Sequence, residues 1–167
     1  MCSSLTEKGA KVTVDALALG ALDIITKPKA NLKGFLHETR APLLEAIKAA
    51  ASADMLKLQR SATLSGSIEP HPALSHDNSL NIIGLGASTG GVQALELVLS
   101  EMPSDCPGIV IVQHMSSEFT PAFAQYLNET CQIEVREARH QDQIKPGLAL
   151  LAPGNKHMQI SQHSEQY

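Results

Sequence analysis

The sequence has no tryptophan, and aromatic residues make up only 3% of it: Phe35, Phe119, Phe123, Tyr126 and Tyr167. A core without large rings is filled by Ala, Leu, Ile and Val, which suits helices packed on a parallel sheet. The same scarcity argues against a Tyr/Trp-rich recognition surface. Cysteine is also sparse. Cys2, Cys106 and Cys131 are odd in number and widely spaced, and read as free thiols in a reducing compartment. There is no basic excess: 13 Lys and Arg face 17 Asp and Glu, for a net charge of −4. A nucleic-acid binder would carry a basic footprint and stacking rings, so that class is excluded. No long apolar run exists either. The most hydrophobic stretch, residues 12–25, is broken by Asp15 and Asp23, so it reads as no membrane-spanning helix. The segment after Met1 is polar and meets Glu7 and Lys8 at once, unlike a secretory signal. The reading is cytoplasmic, without membrane insertion. His71 and His76 fall in a linker and no Cys/His spacing matches a zinc site, so no metal and no cofactor is expected.

What is present is 167 residues, about one domain's length, 43% of them hydrophobic. The charge is uneven. Residues 1–60 carry a net +3 and residues 61–167 a net −7, which points to two compositionally distinct segments.

Ser4-Leu5-Thr6-Glu7 fits a capping box opening a helix, with Ala10, Val14, Leu17, Ala18 and Ala21 at helical spacing. Gly20 is a natural stop. Residues 22–25 read as a short buried strand closed by Lys27-Pro28, and 32–58 as helical, interrupted at Pro42. Helix, strand, helix is the tail of an α/β domain, and a lone short strand lacks a partner. Residues 59–79, through Pro70-His71-Pro72, have no period and form a linker. From residue 80 the pattern is that of a doubly wound parallel sheet. Strands are expected over 80–85, 109–112, 133–135 and 148–152. One helix follows the first strand, with Val92, Leu95, Val98, Leu99 and Met102 on one face, and another spans 120–128.

Gly86-Ala87-Ser88-Thr89-Gly90 matches G-x-S-x-G at a strand-to-helix junction, the context a nucleophilic serine needs. The bland alternative is that Ser88 merely caps the helix. His114 ends the next strand. If the two strands are neighbours they are parallel, and Ser88 and His114 meet at their carboxyl ends, where imidazole can take the serine proton. The alternative there is a loop histidine with no role. The amides of Thr89 and Gly90, at a helix amino end, point to where an oxyanion would form. Asp142 is the best placed downstream carboxylate by order alone, but sits in what reads as a solvated turn. A rival reading takes Gly84-Leu85-Gly86 with Gly90 as a dinucleotide-binding turn. The third glycine is one place late, and no acidic residue ends the second strand.

Residues 81–157 resemble the catalytic domain of the chemotaxis protein-glutamate methylesterase (CheB) family. The carrying motifs are Ile82-Ile83-Gly84 through Ser88-Thr89-Gly90-Gly91, Ile111-Val112-Gln113-His114-Met115, Phe119-Thr120-Pro121-Ala122-Phe123-Ala124, Glu137-Ala138 and Ala152-Pro153-Gly154-Asn155-Lys156-His157. Residues 1–28 resemble the last third of that family's receiver domain. The resemblance implies a receiver tail (1–58), a linker (59–79) and the first half of a methylesterase domain (80–167). It implies hydrolysis of glutamate methyl esters on chemoreceptors, with deamidation of receptor glutamines in some members. Ser88 would be the nucleophile, His114 its base, Thr89 and Gly90 the shapers of the oxyanion region, and Lys27 the receiver lysine that contacts a phosphoryl group. The partners implied are the cytoplasmic domain of a methyl-accepting chemoreceptor and, for the intact protein, the chemotaxis histidine kinase as phosphodonor. The family's phosphorylated aspartate, magnesium-holding acids and triad aspartate have no match here, Val92 stands where proline is common, and Tyr126 where arginine is usual. The expectation is therefore a chain truncated at both ends and inactive by itself. The competing expectation is a non-catalytic remnant or binding module of a two-component signalling system.

Overall fold

The β-branched run Ile109-Val110-Ile111-Val112 lies at the heart of the fold. This computed structural model describes residues 2–3, 7–26, 40–53 and 81–161. In it that run sits within β4 (Gly108–Gln113), flanked by β3 (Ile82–Ala87) on one side and β6 (Leu148–Leu151) on the other. β5 (Glu134–Glu137) pairs beyond β6, so the order is β3-β4-β6-β5 and every pairing is parallel. The helix α3 (Gly91–Ser100) crosses over between the parallel neighbours β3 and β4, while α4 (Thr120–Thr130) carries the chain from β4 to β5, two places along the sheet. The expected parallel α/β sheet is therefore present, with strand ends shifted by one or two residues.

Alternation along the strands sets the core. Ile109 and Ile111 are fully buried, whereas Val112, between Ile111 and Gln113, is 54% exposed. On β3, Ile83, Leu85 and Ala87 turn inward. Val92, Leu95 and Leu99 of α3 and Phe123, Ala124 and Leu127 of α4 close over this face. Val98, expected on the same stripe, is 42% exposed, because it lies at the rim of the face that Val92, Leu95 and Leu99 define. A doubly wound sheet is covered on both faces. Here, at β3 and the end of β4, the second face is open at Ile82, Gly84, Gly86 and Val112.

The amino-terminal segment corrects one expectation. The short strand is not alone: β2 (Ile25–Thr26) pairs in parallel with β1 (Cys2–Ser3). Two residues before the helix suffice to supply the partner. Between them α1 (Glu7–Ala18) buries Ala10, Val14 and Leu17, and Val14 and Leu17 join the same core as α3 and α4. Gly20 ends α1 as expected. At φ 107° it lets its N–H reach Leu17 O and that of Ala21 reach Ala16 O, a Schellman closure. α2 (Arg40–Ser52) carries Pro42 in its first turn, where no intrahelical N–H bond is lost. Lys27, Pro28, the Ser4-Leu5-Thr6 part of the capping box, the rest of the expected 32–58 helix and the whole 59–79 linker lie outside the described residues.

Candidate active site

The register of β3 on β4 brings Ala87 level with Gln113. One residue further, the His114 N–H donates to Ala87 O at 2.9 Å, so the ladder fixes His114 beside the junction from which Ser88 emerges. Both side chains are exposed, and both line one cleft of about 320 Å³ together with Thr89, Gly90, Met115 and Asn155. Ser88 and His114 thus lie along the wall of the same cleft. The cleft lies at the carboxyl edge, where open α/β sheets place their sites.

The turn from β3 into α3 is built for an exposed serine. Gly90 takes φ 76°, the left-handed conformation that a side chain would strain, and the Gly91 N–H closes onto Ser88 O at 2.8 Å. The bland reading of Ser88 as a helix cap fails. The N-cap of α3 is Gly90, and no side chain caps that end. Among the described residues the N–H groups of Thr89 and Gly90 have no hydrogen-bonding partner. They stand at the positive end of a ten-residue helix, beside the serine hydroxyl. The dinucleotide reading fails as well. Gly84 and Gly86 belong to β3 itself, on its outer face, rather than to a phosphate-cradling turn.

Asp142 is brought near neither residue. Its carboxylate pairs with the Arg136 guanidinium and accepts the Arg139 N–H at 2.7 Å, at the β5 end of the sheet, two strands beyond β4. Those bonds hold its carboxyl below the usual aspartate range, Arg136 first and the Arg139 backbone second. It is a turn carboxylate, as its polar surroundings suggested. The thiols are poor rivals to Ser88: burial pushes both Cys106 and Cys131 up, away from the thiolate.

Three features of the rim were not read from the sequence. Leu17, Leu22, Asp23 and Ile24 of the amino-terminal segment line the same cleft. Gln93 ties that segment to α3, donating from Nε2 to Leu17 O and, at 3.4 Å, to Ala21 O. Thr120, fully buried, donates to Glu137 Oε1 at 2.5 Å and accepts the Gly154 N–H at 3.1 Å, which joins α4, β5 and the loop that bears Asn155. Gln113 is a fourth omission. Its alternation with Ile109 and Ile111 already placed it on the core face, where a polar side chain must find partners.

The fold is an α/β domain whose parallel sheet places a G-x-S-x-G serine and a histidine at the carboxyl ends of neighbouring strands. Residues 83–167 match the model of the CheB methylesterase family. The chain belongs to that family. It is 47% identical, over its whole length, to a "protein-glutamate methylesterase/protein-glutamine glutaminase 1" of Photobacterium profundum, of which the match covers 51%. It is 48% identical to a protein-glutamate methylesterase/protein-glutamine glutaminase of Shewanella oneidensis, of which it covers 50%. Among solved structures it matches the CheB methylesterase catalytic domain of Thermotoga maritima, with 35% identity and a TM-score of 0.49, over 51% of this chain and 46% of that one. The chain spans about half the length of the curated relatives it matches.

Proposed function

We propose that this chain carries the nucleophile and base of a protein-glutamate methylesterase that acts on the cytoplasmic domain of methyl-accepting chemoreceptors. The observation that carries the reading is the hydrogen bond from His114 N to Ala87 O, which sets His114 alongside the Ser88 junction. Ser88 Oγ attacks the ester carbonyl and His114 takes its proton. The N–H groups of Thr89 and Gly90 hold the oxyanion. The carbonyl re-forms, methanol leaves with the proton returned by His114, and water hydrolyses the acyl-enzyme to free glutamate. On a receptor glutamine the same steps release ammonia, in keeping with the glutaminase in the relatives' names.

The orienting carboxylate of a full triad is not Asp142, which Arg136 and Arg139 engage. It belongs to polypeptide outside the described residues, and without it the chain turns over slowly at best. Residues 1–58 are read as a receiver-domain tail, with Lys27 as its phosphoryl-contacting lysine, 59–79 as a linker and 80–167 as part of the catalytic domain. In the intact protein a chemotaxis histidine kinase is the phosphodonor, and the setting is the cytoplasm. The test is release of labelled methanol from a methylated receptor cytoplasmic domain, with ammonia release from its unprocessed glutamines measured in parallel. Ser88-dependent release of either product supports the reading. Release that Ser88→Ala leaves unchanged overturns the nucleophile. No release, even from the chain joined to the remaining length of a curated relative, favours the non-catalytic remnant.

A further inference from the structure

Gln113 is a polar side chain only 7% exposed, at the inward end of the β4 row that begins with Ile109 and Ile111. Its Nε2 donates to Ser88 O at 2.9 Å. That oxygen can only accept, so it fixes which way the amide faces. The other end, Oε1, is buried and without a partner. It rests against Gly91: a Cβ on Gly91 would lie 2.0 Å from it. An acceptor with nothing to accept is a cost that a hydrophobic side chain would avoid. Two things offset it. Oε1 lies at the amino end of α3, where the helix dipole is positive. Ser88 O, meanwhile, receives two donors, Nε2 of Gln113 and N of Gly91.

We infer that Gln113 is a positioning residue for Ser88, a buried bracket that ties the end of β4 to the β3–α3 turn. The inference rests on the reading of Ser88 as nucleophile and deepens it. His114 follows Gln113 directly, so one strand end carries both the base and the clamp on the nucleophile's backbone. With Ser88 O held from two sides, the peptide plane between residues 88 and 89 cannot rotate, and the Thr89 N–H in that plane keeps its aim into the cleft. Gly91 is required because any side chain there would displace the amide. Gln113 reaches the cleft wall but is only 7% exposed, so its effect is carried through the turn.

The test uses single-event labelling of Ser88 by a fluorophosphonate, with the site identified by mass spectrometry. In that step Ser88 Oγ bonds to phosphorus, the P–F bond breaks, fluoride leaves, and the hydroxyl proton passes to His114. Wild type, Gln113→Met and Gln113→Glu are compared from pH 5 to 9, with thermal midpoints recorded on the same samples. Gln113→Met keeps the volume and loses the donor. It is expected to stay folded and label about a hundredfold more slowly at saturating probe, with half-saturation unchanged. Gln113→Glu is expected to be slow where its carboxyl is ionised and to recover towards wild type as pH falls and the acid form regains a donor for Ser88 O. A purely structural role would slow labelling only in proportion to the unfolded fraction and would show no recovery at low pH. Either of those outcomes, or wild-type rates in Gln113→Met, overturns the inference and leaves Ser88 as nucleophile. The same series is run on the chain joined to the remaining length of a curated relative; no label at Ser88 in that chimaera overturns the nucleophile reading itself, before any Gln113 variant is compared.

Discussion

Ser88 is exposed and makes no side-chain bond to the helix it precedes, so its hydroxyl contributes little to folding. Ser88→Ala is therefore expected to lower ester hydrolysis by about 10³-fold or more. The thermal midpoint should hardly move, since an exposed substitution of this kind changes stability by about 0.5 kcal/mol or less. Assay and melt on the same sample check both. Gly91 behaves in the opposite way. A methyl there meets Gln113 Oε1 at 2.0 Å and Ala87 Cβ at 2.8 Å, and Ala87 cannot yield as a long side chain can. Gly91→Ala is expected to destabilise by about 1–3 kcal/mol through overpacking. Adding Gln113→Ala should recover part of that loss, because it removes one of the two clashing groups. A double-mutant cycle by denaturant titration reads the coupling, and additive losses would show that the two sites are independent.

Among the elements, β5 and the turn that follows it form a small ionic unit away from the site. Arg136 pairs with Asp142 and, at 3.4 Å, with Glu134, while Lys145 reaches Glu134 at 3.9 Å. The folded state lowers the Asp142 carboxyl below its ordinary value. A depressed carboxyl contributes stability that is complete above the unfolded value, about 4, and is lost as pH falls through the lower folded value. Asp142→Asn should thus reduce stability at neutral pH by less than about 1 kcal/mol. The gap between variant and wild type should close on acidification below about pH 4. Melts at several pH values measure this. Demethylation by the chain joined to the remaining length of a relative should be unchanged by the substitution, since Arg136 rather than His114 holds that carboxylate. A selective loss of turnover would restore Asp142 as the triad member.

At the scale of the whole molecule, the proposed reading turns on two things: a carboxylate behind His114 and, among the described residues, the uncovered outer sheet face. Ile82, at 40%, and Val112, at 54%, leave apolar surface beside exposed Gly84 and Gly86 on strand β3, which forms the edge of its sheet. Such a surface invites association. Joining the chain to the length of the Photobacterium profundum relative that the match leaves uncovered is expected to cover this face and to raise demethylation. If an aspartate of the added polypeptide orients His114, its change to asparagine in the same chimaera should keep the fold but lower activity by about 10⁴-fold, the size seen in the protease template for this exchange. Light scattering and methanol release separate the two causes. Turnover by the chain alone at a rate near that of the chimaera would sink the triad assignment.

The sequence by itself determined the parallel sheet, the Ser88 turn and the approach of His114. Each follows from local signals: β-branched runs, helical spacing, and glycines where the backbone must turn sharply. Order along the chain then places both residues at carboxyl ends, because short crossovers make neighbouring strands parallel. Tertiary structure alone decided the rest. The pairing of Cys2–Ser3 with Ile25–Thr26 joins segments too short to show any period. The capture of Asp142 by Arg136 depends on where a turn falls in space, and the carboxyl had been placed only by its order in the sequence. The clamp of Gln113 on Ser88 spans 25 residues. A hydrogen bond between distant parts of the chain leaves no periodicity to read, and only the packed sheet brings its two ends together.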